Sequence, residues 1–527
     1  MYRKSARLFS LIMAAAIGVS LFSGCGNDKK TTQKETTSSA TGDTKQEKPL
    51  KFSILSWAGT SDYVTQSPDI TKDKYLLALN KKFNIEMTMK MIDDKNRDQQ
   101  TQMLMASGEI PDVVLGLGDV NYVGLAGSVH AGMYWDLTDI LKKNMDKWRY
   151  LNQIPQNAWE YGQVNGKQYG IPVQYLGVTS RRATFIRKDL LDKTGLKVPK
   201  TLDEYLEVLR AFKKLGVKYP YAGRTRWEFT DLFFSAFGVQ QYDQWNLDKE
   251  GRMVPDIIRP EMKEALKFHA QLYKEGLMDP ESLTTNSTDW GNKINAGKVG
   301  LFTSGIGELS GRNTNLKQNV PEGELIAIPS PEGPRGNKGM YRYPPVNVMA
   351  YINKNFKEPE RLLKLLDDQL SPEGCEFFAF GIEGDTYTKK DGRIQYKYPT
   401  DKAGMNEQGW RTNSIGIARD DAAYNKLMLP FQPKGNEILD WFEKVGPKEG
   451  YIYYQPKVQL KSIESHPDLA PKNNSLFLDY SAKIFLGQGD ADKLFDDFVK
   501  EYLRRGGEDV IKEATEMYKT GKFYNLK

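Results

Sequence analysis

Between Leu50 and Leu115 the chain switches repeatedly between two hydrophobic periods. Phe52-Ser53-Ile54-Leu55 reads as a short strand. Tyr75, Leu76, Leu79 and Phe83 recur at helical spacing. Ile85 to Met91 alternates like a strand, Gln99 to Ser107 is helical, and Gly108 stops that helix. Pro111-Asp112-Val113-Val114-Leu115 reads as a buried-type strand. Strand, helix, strand, helix, strand predicts a parallel sheet covered by helices, an α/β fold.

The 527 residues allow two or more domain-sized bodies with ample core. Ahead of them lies a different kind of segment. Arg3, Lys4 and Arg7 precede an apolar run, Leu8 to Leu21, that is short for a membrane span. Phe22-Ser23-Gly24-Cys25 closes it with the small residues a signal peptidase needs, directly before a cysteine. This pattern resembles a bacterial lipoprotein signal, although Phe22 stands where such signals prefer Leu. It implies removal of residues 1–24 and lipidation, with palmitate among the acyl groups, of Cys25. Gly26 to Pro49 is polar and patternless, and reads as a disordered tether reaching roughly 80 Å when extended.

Charge and cysteine content narrow the class. Loss of Arg3, Lys4 and Arg7 takes the formal charge from +6 to +3, which is no nucleic-acid footprint. No later apolar run reaches a spanning length. Besides Cys25 only Cys375 remains, so an intrachain disulfide is not expected in the mature protein. That suits the Gram-positive cell surface. Cys375 sits among Phe377, Phe378 and Phe380 and reads as a buried apolar residue.

Helices are well marked further on. Thr201-Leu202-Asp203-Glu204 fits a capping box ahead of Tyr205, Leu206, Leu209 and Phe212. Pro260, Pro359 and Pro372 each suit a first helical position, and Asp490 a cap. Asn165-Gly166 suits a type I′ turn leading into the strand Gly170-Ile171-Pro172.

Several local motifs follow one another in a fixed order. They are Ser107-Gly108-Glu109-Ile110-Pro111-Asp112, Asn165-Gly166-Lys167-Gln168-Tyr169-Gly170-Ile171-Pro172 and Ile186-Arg187-Lys188-Asp189-Leu190-Leu191. Asn295-Ala296-Gly297-Lys298-Val299-Gly300 and Ser371-Pro372-Glu373-Gly374 complete the series. With this series the chain, over about residues 50–505, resembles the extracellular solute-binding lipoproteins of carbohydrate ABC importers, in the large branch found in bacilli. The resemblance implies a two-lobed periplasmic-binding-protein-like fold of type II, with parallel-sheet lobes joined by hinge strands. It places one lobe at 50–172 plus 345–381 and the other at 173–344 plus 382–527. It implies a non-enzymatic monomer on the outer face of the cytoplasmic membrane. Its expected partners are an oligosaccharide, the ABC permease transmembrane subunits and the membrane through Cys25, and no nucleic acid.

A sugar needs aromatic faces for its C–H surface and planar polar groups for its hydroxyls, in a cleft with few placed polar groups. Such clefts form at the ends of parallel strands. Trp57, Asp119 and Tyr175 each follow a predicted strand. In maltose-binding relatives an acid at the spacing of Asp119 holds sugar hydroxyls. From the second lobe the candidates are Arg226 with Trp227, Trp245, Tyr341 with Arg342, Glu383 with Tyr387, and Trp410. Each of these aromatics also fits a core position. Arg181, Arg182, Arg226 and Arg342 would suit an acidic sugar such as a uronide, or are ordinary surface arginines.

Other chemistries find little support. None of His130, His269 and His466 lies at metal spacing to another histidine or to Cys375, so no metal and no cofactor is expected. His269 shares an apolar face with Leu266, Leu272 and Tyr273 and reads as packed. Leu215 to Pro220 lacks the calcium-loop spacing of some large relatives. No phosphate loop or Gly-x-Ser-x-Gly elbow occurs. Carboxylate pairs are common enough to leave a surface-anchored glycoside hydrolase or lyase as the alternative. A sensory partner that presents ligand to a membrane kinase is a third reading.

Overall fold

The computed structural model describes residues 47–125, 127–175, 181–242, 244–470 and 475–526. Cys25, the run before it and most of the expected tether lie outside these residues.

Six strands make the sheet of the first lobe. Their order is Arg419–Asp420, Gly170–Tyr175, Val346–Ile352, Val113–Leu117, Leu50–Ser56, Ile85–Met91. Leu50–Ser56 runs parallel to both Ile85–Met91 and Val113–Leu117, as the alternation predicts. Val346–Ile352 is antiparallel to both its neighbours, because it enters from the second lobe. The helix Lys74–Phe83 is capped by Asp73 and ends at Asn84 in the left-handed region. Arg97–Ser107 ends at Gly108, where φ is 75°. The third strand starts two residues later than predicted. Pro111 offers no N–H to a ladder, and the Asp112 carboxylate accepts instead from the Ser53 N–H and hydroxyl, both at 2.8 Å.

The second lobe is less parallel than predicted. Leu325–Ile328, Arg182–Arg187, Val299–Gly305 and Tyr219–Tyr221 form its main sheet, in that order. Only the pairing of Val299–Gly305 with Tyr219–Tyr221 is parallel. A smaller antiparallel sheet orders Met253–Pro255, Trp245–Leu247, Tyr453–Pro456 and Phe523–Leu526. The chain's last strand therefore closes this sheet.

Local signals set many boundaries. Thr201 and Glu204 make the reciprocal capping box before Leu202–Lys214. Asn165 and Gly166 take φ 49° and 77° between two short antiparallel strands, as a type I′ turn requires. Cys375 is buried, and burial pushes its thiol up to about 12. His269 is buried as well, donating from Nδ1 to the Ala265 carbonyl at 2.8 Å.

One segment returns to the first lobe after Gly381. The helix Lys402–Asn413 sits on it through Trp410, whose Nε1 donates to Asp73 at 2.9 Å. The Tyr75 hydroxyl donates to Glu407 at 2.5 Å. Arg419–Asp420 then adds a parallel strand beside Gly170–Tyr175. The sequence boundaries place these residues in the second lobe; their contacts place them on the first.

Candidate functional site

By register, one edge of the first sheet carries the ends of Leu50–Ser56, Val113–Leu117 and Gly170–Tyr175 and the start of Val346–Ile352. Gly118, at φ 71°, turns the chain off the strand end and leaves Asp119 beyond it. The Asp119 carboxylate accepts from the Asn121 N–H at 2.8 Å. Burial pushes this carboxyl above the ordinary aspartate range. Around it stand Tyr161, Tyr351 and Tyr524, each with its phenol raised first by burial and further by the charge of Asp119.

Tyr161 belongs to the first lobe and Tyr524 to the last strand of the second. Their rings stack with centres 3.8 Å apart and planes 6° from parallel. Beside Tyr524 its ladder partner is Gln455. Tyr161 Oη, Tyr351 Oη and Gln455 Oε1 are all buried without a hydrogen-bond partner. Asn121 Nδ2 donates across to the Lys457 carbonyl at 2.6 Å, and Lys457 Nζ lies 5.2 Å from the Tyr524 ring centre.

A strained loop builds the second wall. Arg226, Trp227 and Phe229 have φ of 56°, 63° and 60°. Non-glycine residues in this region cost on the order of 1–3 kcal/mol each. Arg224 N–H donates to the Glu228 carbonyl at 3.1 Å and its guanidinium to the Glu228 carboxylate at 2.5 Å, which holds the loop closed. The loop presents Phe229 to Arg182 and Arg224, at 4.5 and 4.6 Å from its ring centre. Arg182 also pairs with the buried Asp231 at 2.7 Å and lies 5.1 Å from the Tyr341 ring centre. Asp231 fixes Tyr341 by accepting its N–H at 2.9 Å.

The cations here are largely matched by carboxylates. Arg181 reaches Asp421 at 3.3 Å and Arg419 reaches the same carboxylate at 2.7 Å. Both face a cavity of about 580 Å³ at the crossing between lobes, together with Gly305, Glu308 and Phe442. Arg342 differs. It is 8% exposed, its Nε has no partner, and its guanidinium packs against Gly450. Desolvation lowers its affinity for the proton.

Asp119 and Tyr341 lie on different walls, Asp119 at the turn whose Val120 N–H donates to the Tyr161 carbonyl and Tyr341 beside Arg182, Tyr343 and Tyr453. Trp57 is half-buried, with Arg97 4.7 Å from its ring centre and Nε1 enclosed without a partner. Arg97 is 3.6 Å from Asp98, which accepts from the Tyr122 hydroxyl, so Trp57 is linked to the Asp119 turn only through Arg97, Asp98 and Tyr122. Tyr175 sits at the hinge end of its strand, opposite Val346 and beside Asp420.

Other candidates fall elsewhere. Trp227 is 1% exposed, its Nε1 bonded to Ser481 and its ring against His269, which leaves no face for a ligand. Trp245 and Trp410 are core residues for the same reason, packed on Phe523 and Tyr63. Arg226 is exposed on the loop. Glu383 and Tyr387 line a separate cavity of about 470 Å³ with Lys82 and Glu376. Sequence reasoning missed Tyr161, Tyr351, Gln455 and Tyr524. Among the described residues no three His, Cys, Asp or Glu side chains converge to hold a metal, and no helix is long and apolar enough to cross a membrane.

Comparison with known proteins agrees with this architecture. The chain is 25% identical over 549 residues to lipoprotein LipO of Bacillus subtilis (strain 168), covering 97% of this chain and 98% of the relative. It is 25% identical over 539 residues to the polygalacturonan/rhamnogalacturonan-binding protein YtcQ of the same strain, covering 98% and 99%. The solved structure of the Streptococcus pneumoniae ABC-transporter substrate-binding protein FusA in complex with kestose superposes with a TM-score of 0.65. It shares 21% identity, with 90% of this chain and 99% of that one covered, and confirms the two-lobed α/β fold. The family described as bacterial extracellular solute-binding protein matches residues 71–374, more than half of the chain, and the chain belongs to that family.

Proposed function

We propose that this protein captures an oligosaccharide outside the cell and delivers it to the permease subunits of an ABC importer, held at the membrane by a lipid on Cys25. One observation carries the reading. Between the lobes, the stacked rings of Tyr161 and Tyr524 lie beside the Asp119 turn, and Tyr161 Oη, Tyr351 Oη and Gln455 Oε1 are buried without partners. Buried polar groups normally have a partner. A ring of hydroxyls with apolar faces supplies partners for these atoms and surfaces for the rings. Relatives named for polygalacturonan and for fructooligosaccharide support a saccharide ligand.

Binding requires the lobes to part and close about the hinge strands that join them. The permease then reads the closed form. The protein releases its ligand unchanged and catalyses no bond cleavage. Purified residues 26–527 mixed with a panel of oligosaccharides test this. The expected result is a raised melting temperature with at least one sugar, a smaller radius of gyration in scattering, and no new product by chromatography. Product release would instead support the hydrolase or lyase.

A further inference from the structure

We propose that Tyr161 and Tyr524 are the two jaws of a clamp that takes one uncharged sugar ring of the oligosaccharide between them; this rests on the saccharide-binding reading above. The two rings come from different lobes, one beside the Asp119 turn, the other on the chain's last strand. They are 3% and 5% exposed, and nearly parallel. Hinge opening separates such a pair as a whole, which gives a ligand entry without rearranging either wall.

The surroundings match a sugar on both its face and its rim. A sugar presents C–H groups above and below and hydroxyls around its edge. Inserted here, its two faces would meet the two tyrosine rings. The ring centres would move from 3.8 Å to roughly 8 Å, two carbon–carbon contact distances. Its rim would meet Tyr161 Oη, Tyr351 Oη and Gln455 Oε1, all unpartnered, and the Asp119 carboxylate.

Charge decides which ring fits. Asp119 and Glu160 are the carboxylates that bear on both rings. Lys457 is the cation over Tyr524. Glu160 is exposed to solvent, but the Asp119 carboxylate sits at the turn against Tyr161, where the rim hydroxyls must donate, so a ring carrying its own carboxylate is repelled there. Other aromatics serve differently. Trp57 has the Arg97 guanidinium over its ring, and Phe229 is flanked by Arg182 and Arg224. Tyr161 and Tyr524 face each other instead.

Calorimetry of residues 26–527 with maltotetraose, cellotetraose, xylotetraose, 1-kestose and trigalacturonate tests the clamp. Binding of one or more of the four neutral sugars, and not of trigalacturonate, is expected. Tyr161→Leu and Tyr524→Leu should each weaken the neutral sugar about ten-fold or more, and Tyr161→Phe and Tyr524→Phe less. The double Leu variant should lose less than the product of the single losses, since both rings hold one sugar. Circular dichroism confirms folding; should Tyr524→Leu not fold, Tyr161→Leu on the other lobe carries the comparison. A neutral sugar that binds both Leu variants as it binds the parent overturns the clamp alone. Preferential binding of trigalacturonate overturns the choice of an uncharged ring. Failure of the parent to bind any of the five overturns the saccharide reading itself.

Discussion

The Arg182 guanidinium donates to the Asp231 carboxylate at 2.7 Å while lying 4.5 Å from the centre of the Phe229 ring. Asp231 is wholly buried and Arg182 nearly so. One cation thus neutralises a buried acid and braces the aromatic wall. Removing one partner of such a pair is strongly destabilising because it strands the other charge. Arg182→Met is therefore expected to lower unfolding stability by about 3–5 kcal/mol in urea titrations. The double variant Arg182→Met with Asp231→Leu should regain part of that loss, the remainder being the Tyr341 N–H left without its acceptor. Equal stability for both variants would show that Asp231 does not depend on Arg182.

His269 supplies a pH dependence of known sign. Burial lowers its imidazole from 6.5 to about 4, against the opposing bond to the Ala265 carbonyl. The folded state therefore resists protonation while the unfolded chain accepts it. Stability from this residue is complete above about pH 6.5 and falls as pH drops toward 4. The full difference is about 3 kcal/mol. NMR titration should place the imidazole near 4, and His269→Leu should flatten this part of the stability profile. A free imidazole titrating near 6.5 would contradict the packing of its ring on Phe234, 4.4 Å centre to centre.

How much of this was legible depends on how far apart the deciding residues lie. The Thr201 capping box, the Asn165-Gly166 turn and the prolines at 260, 359 and 372 act within a few residues, and each appears where the sequence places it. The position of Asp119 past a strand was legible too, because a strand end and a glycine turn are local. Trp227 was not. It stands in a polar, strained loop, as a ligand platform would, and only a contact with Ser481, 254 positions away, shows that its ring is interior. Tyr161 and Tyr524 form the converse case. Neither segment has a binding motif, and their stacking follows from the last strand joining a sheet with Tyr453–Pro456.

Cys25 is the proposed lipid anchor and can be tested apart from the fold. Cys25→Ser keeps the small, polar character of the site but offers no thiol for acylation. The variant is expected in the culture medium, and the parent in the membrane fraction, by immunoblotting. A Cys25→Ser variant that sediments with membranes as the parent does would remove the anchor from the proposal.

Asp119 and Trp57 should part company when each is changed. Asp119→Asn keeps an oxygen to accept from the Asn121 N–H but loses the charge that attracts sugar hydroxyl donors. Loss of a charged acceptor that the sugar would cover costs on the order of 1–3 kcal/mol of binding, or roughly five- to hundred-fold in affinity. The unliganded protein should not suffer. Burial raises the Asp119 carboxyl in the folded state, so near neutral pH its charge opposes folding, and the neutral amide should leave the melting temperature unchanged or slightly higher. Trp57→Ala should behave in the opposite way. Its ring packs on the first lobe's core beneath Arg97, so its removal is expected to lower the unliganded melting temperature. Its effect on affinity should be smaller than that of Asp119→Asn. Calorimetry beside thermal denaturation, with the neutral sugar that binds the parent best, separates the two. If Trp57→Ala weakens binding more than Asp119→Asn while leaving the melting temperature alone, the sugar lies against the first strand's end and not beside the Asp119 turn.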